Sequence, residues 1–190
     1  TLSLIQFDNQ YDVVYSGLPL AEAPELTDSA FQPRGSTALL DALGRTIDET
    51  GRRYAALPDE QRPGTVVFVT LTDGMENSSV QYTLEQINQK IAHQRDKYSW
   101  QFLFLSANQD AIATAATFGI PEAQALTFAC TTNGAKGTFE ALDRKMHKMR
   151  SARAAGDASA AFAFDDTDRA DAVAPETNTA RKPRKKGRKV

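Results

Sequence analysis

The sequence predicts an α/β fold in which strands and helices alternate along the chain. Three runs are dense in β-branched, aromatic and aliphatic residues and have the length of buried strands, at 2–7, 66–71 and 100–105. Helical patterns lie between them, with apolar residues three and four positions apart, as at Leu39, Leu43 and Ile47. This alternation predicts a Rossmann-like, doubly wound and mostly parallel sheet.

The first strand is expected to form a hairpin. Residues 2–7 and 12–16 flank the turn formed by Asp8, Asn9 and Gln10. A short polar turn between two strand-like runs predicts antiparallel pairing. The sheet should therefore carry one antiparallel edge strand.

Local signals mark the ends of the later helices. Thr83 followed by Gln86 is a capping-box pattern that predicts a helix start near residues 82–84. A third helix is expected over 111–118, capped by Asn108 or Asp110 and stopped by Gly119 and Pro121. A short strand fits 125–129. The chain then shows a helical stripe that predicts core packing, made of Phe139, Leu142, Met146 and Met149.

Composition bounds the class of protein. With 190 residues and 41% hydrophobic content, the chain can bury one sizeable core. It has no apolar run long enough for a membrane span and no signal-peptide pattern, so we expect a soluble cytoplasmic protein without membrane contacts.

The lone Cys130 rules out an internal disulfide and is expected to be buried. His93 and His147 are expected to be exposed, and neither accompanies a recognisable nucleophile motif, so the prediction is a protein that is not an enzyme.

Charge and hydrophobicity change after residue 153. The range 154–190 has few large apolar residues and is predicted to be a disordered polyampholytic tail, following a folded domain at 1–153. The tail ends in a basic cluster comprising Arg181, Lys182, Arg184, Lys185, Lys186, Arg188 and Lys189. Such a cluster indicates contact with nucleic acid or another acidic surface, or simply a solubilising end.

Two segments carry hydroxyl and carboxylate groups where strands end or helices begin. The first is Pro33-Arg34-Gly35-Ser36-Thr37, which leads into a helix, and the second is Thr72-Asp73-Gly74-Met75-Glu76-Asn77, which leaves a buried strand. Ligands of doubly wound sheets bind beyond the carboxyl ends of the strands. These two loops are therefore the candidate site.

Together the two loops resemble the second and third loops of a von Willebrand factor type A (vWA) domain, and the likeness covers roughly residues 1–150. It is greatest to small stand-alone bacterial and phage members. The resemblance implies a metal-ion-dependent adhesion site in which Thr37 and Asp73 help hold Mg²⁺ or Mn²⁺. In that family the first strand is central and leads into an Asp-x-Ser-x-Ser loop. This sequence lacks both, so the domain is expected to be amino-terminally incomplete and its metal site incomplete.

The expected function is that of a protein-interaction module. A hard cation held by hydroxyls and few carboxylates stays electrophilic, which suits a carboxylate presented by a partner protein. Ser36, Glu76 and Asn77 are further candidates for orienting the metal ligands or their waters.

Simpler interpretations remain open for the same residues. Thr37 could cap the following helix, and Asp73 could form a turn before Gly74. The alternative function is that of a nucleic-acid-associated protein that contacts phosphates through its basic tail.

Overall fold

The computed structural model describes residues 1–27, 35–107, 110–157 and 161–176, and it has a mixed α/β fold. In chain order, the strands and helices are β1 (Leu2–Phe7), β2 (Tyr11–Leu18), α1 (Leu39–Ala55), β3 (Val67–Thr72), α2 (Leu84–Tyr98), β4 (Gln101–Ala107), α3 (Ala111–Thr117), β5 (Ala125–Phe128), α4 (Thr132–Ala154) and α5 (Asp166–Ala172). Single turns of 3-10 helix cover Leu20–Glu22, Asp59–Gln61 and Glu122–Gln124. The alternation of strands and helices predicted from the sequence is confirmed.

The larger sheet is parallel and has the strand order β3-β4-β5. Val67 pairs with Gln101 at one end of β3, and Thr72 pairs with Ser106 at the other. Every residue of the central strand β4 is buried. Such burial explains the almost continuous apolar sequence of β4, because both faces of a parallel strand are covered by helices.

The hairpin forms a separate sheet. Strands β1 and β2 pair with each other in the antiparallel sense, as predicted. The expectation of one sheet with an antiparallel edge strand differs from the structure, in which β1–β2 and β3–β5 are two sheets. The reason is that, in the described ranges, no strand bridges β1 and β3, so the hairpin is joined to the rest through α1.

Helices α1, α2 and α3 cover one face of the parallel sheet. They enclose a core with Ile47 of α1, Ile91 of α2 and Phe118, which directly follows α3, against Phe102 and Phe104 of β4. Phe7 of β1 and Phe68 of β3 pack against this same core. Helix α1 therefore lies beside both sheets and holds them together.

The opposite face is covered by α4 and by residues 161–176, which we call the C-terminal clamp. Phe162 and Phe164 are buried against Leu105 and Leu126, and Ala172 of α5 is fully buried. Residues 154–190 were expected to be a disordered tail, yet the clamp is part of the fold. Two phenylalanines in an otherwise small and polar segment suffice because they enter one shared apolar pocket, with their ring centroids 5.1 Å apart. The remaining tail, 177–190, lies outside the described residues.

Close packing of α4 on α5 changes which face of α4 is buried. A Cβ added to Gly137 would lie 2.4 Å from the backbone oxygen of Asp171, so only glycine allows this approach. The predicted stripe is buried at Met149 and partly buried at Leu142 and Met146, but Phe139 is 59% exposed, in disagreement with the prediction. Small residues occupy the buried face at this end of the helix, because the clamp comes too near for an aromatic ring.

Several local predictions have clear outcomes. The capping box of Thr83 and Gln86 is confirmed, as is the cap of α3 by Asp110, whereas Asn108 lies outside the described residues. His93 and His147 are exposed, as expected. Cys130 was expected to be buried and is exposed, because it lies in the turn between β5 and α4.

Candidate functional site

Two loops meet at the carboxyl end of β3. The first comprises residues 35–38, before α1, and the second comprises residues 73–82, before α2; we call them the edge loops. The backbone N–H of Thr37 donates to Oδ1 of Asn77 at 2.9 Å, and the backbone N–H of Asn77 donates to the carbonyl of Thr37 at 3.0 Å. These reciprocal bonds fix Thr37 against the second loop. Asn77, a candidate for orienting the site, thus positions Thr37.

The Thr37 hydroxyl lies directly against the turn that carries Asp73. A Cβ added to Gly74 would lie 2.7 Å from Thr37 Oγ1, so this approach requires glycine at position 74. The turn itself is shaped by Thr72, whose hydroxyl donates to the carbonyl of Gly74 at 3.0 Å. Asp73 is exposed. The two loops named by sequence thus form one surface.

The structure bears on the simpler interpretation of Thr37. The N-cap residue of α1 is Ala38, whose side chain cannot make a capping hydrogen bond. The first turn of α1 is instead capped from the other loop, since Leu40 N–H donates to Glu76 Oε2 at 2.9 Å and Asp41 N–H donates to Ser79 Oγ at 3.1 Å. The Thr37 hydroxyl is therefore not used as the helix cap.

Glu76 is a structural carboxylate. Its Oε1 accepts from the backbone amides of Ser78 and Ser79, and its Oε2 accepts from Leu40 N–H and the Ser79 hydroxyl. Burial alone would raise the pKa of Glu76, but these hydrogen bonds favour the ionised form and leave the pKa below its ordinary value. Both oxygens have partners, so Glu76 holds the loops together rather than facing a ligand.

Asp41 makes a second set of contacts that sequence reasoning missed. Its carboxylate accepts hydrogen bonds from the backbone amides of Val80, Gln81 and Tyr82 at 2.8–2.9 Å. Tyr82 then lies so close to Gly44 that an added Cβ would meet the ring at 2.4 Å. An acidic residue in the first turn of a helix indicates only a favourable dipole contact, so the sequence carried no signal of this loop anchor.

Hydroxyls also line the carboxyl ends of the parallel strands. Thr72, Ser106 and Thr127 lie side by side in the strand register. The Ser106 side chain is fully buried, and its Oγ has no hydrogen-bond partner in the part of the chain that the structure describes. This row of polar residues follows from register, which no single-sequence pattern reveals.

The donor set fits a divalent cation only in part. Thr37 supplies a hydroxyl and Asp73 a carboxylate, whereas both oxygens of Glu76 are occupied. Across the ranges 1–27, 35–107, 110–157 and 161–176, no group of three or more His, Cys, Asp or Glu side chains is placed to hold a metal. An octahedral cation would therefore take most of its oxygens from water or from groups outside these ranges.

The remaining residues named from the sequence divide between the first edge loop and the part of the chain that the structure does not describe. Ser36 is partly buried in the first edge loop. The basic cluster at 181–190 is outside the described residues.

Comparisons with protein-family models, curated proteins and solved structures found no match to this chain. Among the described residues, no helix has the length and apolar character needed to cross a membrane.

Proposed function

We propose that this chain is a protein-interaction module of the vWA type, which binds an acidic group of a partner through a divalent cation at the edge loops. One observation carries the proposal. The hydroxyl of Thr37, which is not used to cap α1, lies against the Asp73–Gly74 turn at the carboxyl end of a parallel strand. Ligand sites in parallel α/β sheets lie at this end.

In this proposal Thr37 and Asp73 contribute two oxygens to Mg²⁺ or Mn²⁺. The cation would supply an electrophilic position for a carboxylate of the partner protein. Asn77 holds the backbone of Thr37, and Glu76 holds the second loop against α1, so both act by positioning. The role is binding rather than catalysis.

The two-sheet arrangement supports the finer fold assignment. Strands β1 and β3 lie in different sheets, and both pack against the core that α1 helps to form. On β3, Val69 and Leu71 are 40% and 43% exposed. One further strand between β1 and β3 would join the two sheets into a doubly wound, vWA-like sheet. A helix packed over Val69 and Leu71 would cover the exposed side of β3. The loop after the added strand would add oxygen ligands at the same edge.

Manganese-induced broadening of backbone NMR signals tests the site, because it detects binding in the millimolar range. We expect this chain alone to bind Mn²⁺ with a dissociation constant of about 1 mM or weaker, a binding free energy on the order of −4 kcal/mol, since the edge loops offer the cation one carboxylate. Signals of residues 35–38 and 73–77 should broaden first. Asp73→Asn should remove this effect.

Asp143→Asn is the matched control, because Asp143 is exposed on α4 and carries the same charge. It should leave the broadening at the edge loops unchanged. Broadening that begins elsewhere, for example at the acidic residues of α5, would show that the edge loops are not the cation site.

A further inference from the structure

A second polar site lies between the hairpin and α1. The hairpin encloses a cavity of about 60 Å³ against this helix, which we call the hairpin pocket. Positions Thr46, Glu49 and Arg53 of α1 line it at helical spacing, and Ser3 and Ser16 line it from the two strands. This pocket is separate from the edge loops and does not depend on the function proposed above.

Arg53 is the unexplained group in the pocket. Its Nη1 donates to the hydroxyls of Ser3 and Ser16, and its Nη2 donates to the hydroxyl of Tyr54 at 3.2 Å. Its Nε is buried and has no hydrogen-bond partner among the described residues. In the parts of the chain that the structure describes, no carboxylate lies within ion-pair distance of Arg53. A partly buried guanidinium with only neutral partners lacks the counter-ion that normally offsets its desolvation.

Both serine hydroxyls of the pocket accept hydrogen bonds and keep a proton to donate. Each hydroxyl accepts from Arg53, and Ser3 Oγ also accepts from the backbone N–H of Gly17 at 2.9 Å. A hydroxyl has one proton to donate, and within the described ranges neither serine proton has an acceptor. Two O–H donors therefore lie beside the Arg53 guanidinium in the lining of the same cavity.

The backbone of the hairpin is shaped to bring these donors together. The register between the strands shifts between Leu2 and Leu4, opposite Ser16 and Gly17, which marks a β-bulge. Gly17 has φ +72°, and an added Cβ would lie 3.3 Å from Arg53 Nη1. The left-handed glycine lets the bulge direct Ser16 at Arg53.

Glu49, the acidic side chain among the described residues that line the pocket, is already paired with a cation. Glu49 Oε1 pairs with Arg45 Nε at 2.8 Å, and Glu49 Oε2 accepts from the Tyr11 hydroxyl at 3.2 Å. Pairing with Arg45 lowers the pKa of Glu49. The positive charge of Arg53 thus remains as the uncompensated charge of the pocket.

We propose that the hairpin pocket binds a small tetrahedral oxyanion, either free phosphate or sulfate or the head group of a phosphate monoester. About 60 Å³ holds roughly four water-sized spheres, which suits an ion of four oxygens. Arg53 supplies the charge, and Ser3 and Ser16 supply two further hydrogen bonds.

Calorimetric titration of the full chain with sodium sulfate and sodium phosphate, at ionic strength held constant with chloride, tests this site. The unmodified chain should bind with a dissociation constant on the order of 1 mM and should gain thermal stability over the chloride control. Arg53→Gln should weaken binding about tenfold or more, because it removes charge-assisted hydrogen bonds. Arg53→Lys should fall between the two, since it keeps the charge without the guanidinium fork.

Three further variants guard against a general loss of charge or fold. Arg52→Gln removes the same charge from the exposed side of α1 and should change affinity by less than about twofold. Ser16→Ala should weaken binding a few-fold. Glu49→Gln should tighten binding, because a negative charge leaves the pocket.

The outcome separates the possible results clearly. Tighter binding of glycerol 3-phosphate than of inorganic phosphate would identify a monoester ligand, and binding of phosphate alone would identify the free ion. Equal affinities for the Arg53→Gln and Arg52→Gln variants, or no stabilisation beyond chloride, would overturn the proposal.

Discussion

The C-terminal clamp and the edge loops are both held on the sheet by carboxylates, but through different partners. In the clamp, Asp168 is 1% exposed and pairs with the side chains of Arg144 and Lys145, beside two buried phenylalanines. In the edge loops, Glu76 is partly exposed and pairs mainly with backbone amides. The clamp buries the carboxylate of Asp168, whereas the edge loops keep Asp73 at the surface. We therefore expect the clamp to determine stability and the edge loops to determine recognition.

The largest expected effect concerns the apolar part of the clamp. Phe162→Ala removes a ring that is 1% exposed and should lower the free energy of unfolding by about 3–5 kcal/mol. Urea unfolding followed by circular dichroism measures this change. Phe139→Ala is the matched control, because Phe139 is 59% exposed, and should cost less than about 0.5 kcal/mol. Similar losses for the two variants would mean that the clamp does not cover the core.

The buried charge of the clamp comes second. Asp168→Asn leaves Lys145 and Arg144 facing a neutral amide and should lower the free energy of unfolding by about 2–3 kcal/mol. Asp171→Asn should cost less than about 1 kcal/mol, because Asp171 is 45% exposed and its pair with Arg144 is solvated. If the two variants unfold alike, burial of Asp168 does not matter for stability.

Substitutions in the edge loops should lower the free energy of unfolding less than those in the clamp. Glu76→Gln weakens the hydrogen bonds from Leu40, Ser78 and Ser79, and should lower the free energy of unfolding by about 1–2 kcal/mol. Amide hydrogen exchange at these three residues should also rise. Glu85→Gln, an exposed change in the first turn of α2, should cost about 0.5 kcal/mol or less. Unchanged exchange at Leu40 would show that Glu76 does not cap α1.

The stability of the chain at low pH should also depend on Glu76. The pKa of Glu76 is lowered in the folded state, so its contribution to stability is complete above its ordinary value of 4.5 and is lost as the pH falls through the folded pKa. The unmodified chain should therefore lose more stability than Glu76→Gln between about pH 5 and pH 3. The pKa of Asp165 is lowered to about 2, and the largest cause is the hydrogen bond from the Lys145 ammonium. The contribution of Asp165 to stability should therefore persist to lower pH.

Prediction from sequence succeeded where one element is decided by its own residues. Strand β4 is mostly apolar because both of its faces are covered, and the Thr83–Gln86 box specifies a helix start locally. The clamp was missed because only Phe162 and Phe164 interrupt a small and polar segment. These two rings stabilise the fold only because they enter a pocket formed by distant residues such as Leu105 and Leu126.

The candidate site shows the same division. The loops around Thr37 and Asp73 were identified from sequence, and the structure brings those loops together. The anchoring roles of Asp41 and Glu76 depend on backbone amides about 40 residues away, which no short motif encodes. Arg53 was missed for a similar reason, since its lack of a counter-ion is visible only when the hairpin lies against α1.

The turn between β5 and α4 has a practical consequence. Cys130 is exposed there and is the one cysteine of the sequence, so a thiol-directed dye would label a single site. Its neighbours touch the end of the clamp on both sides, since Ala129 N–H donates to the carbonyl of Ala172 and the Thr131 hydroxyl donates to the carbonyl of Ala174. A fluorophore at this position would therefore report, in real time and without further mutation, whether the clamp leaves the sheet before the rest of the chain unfolds.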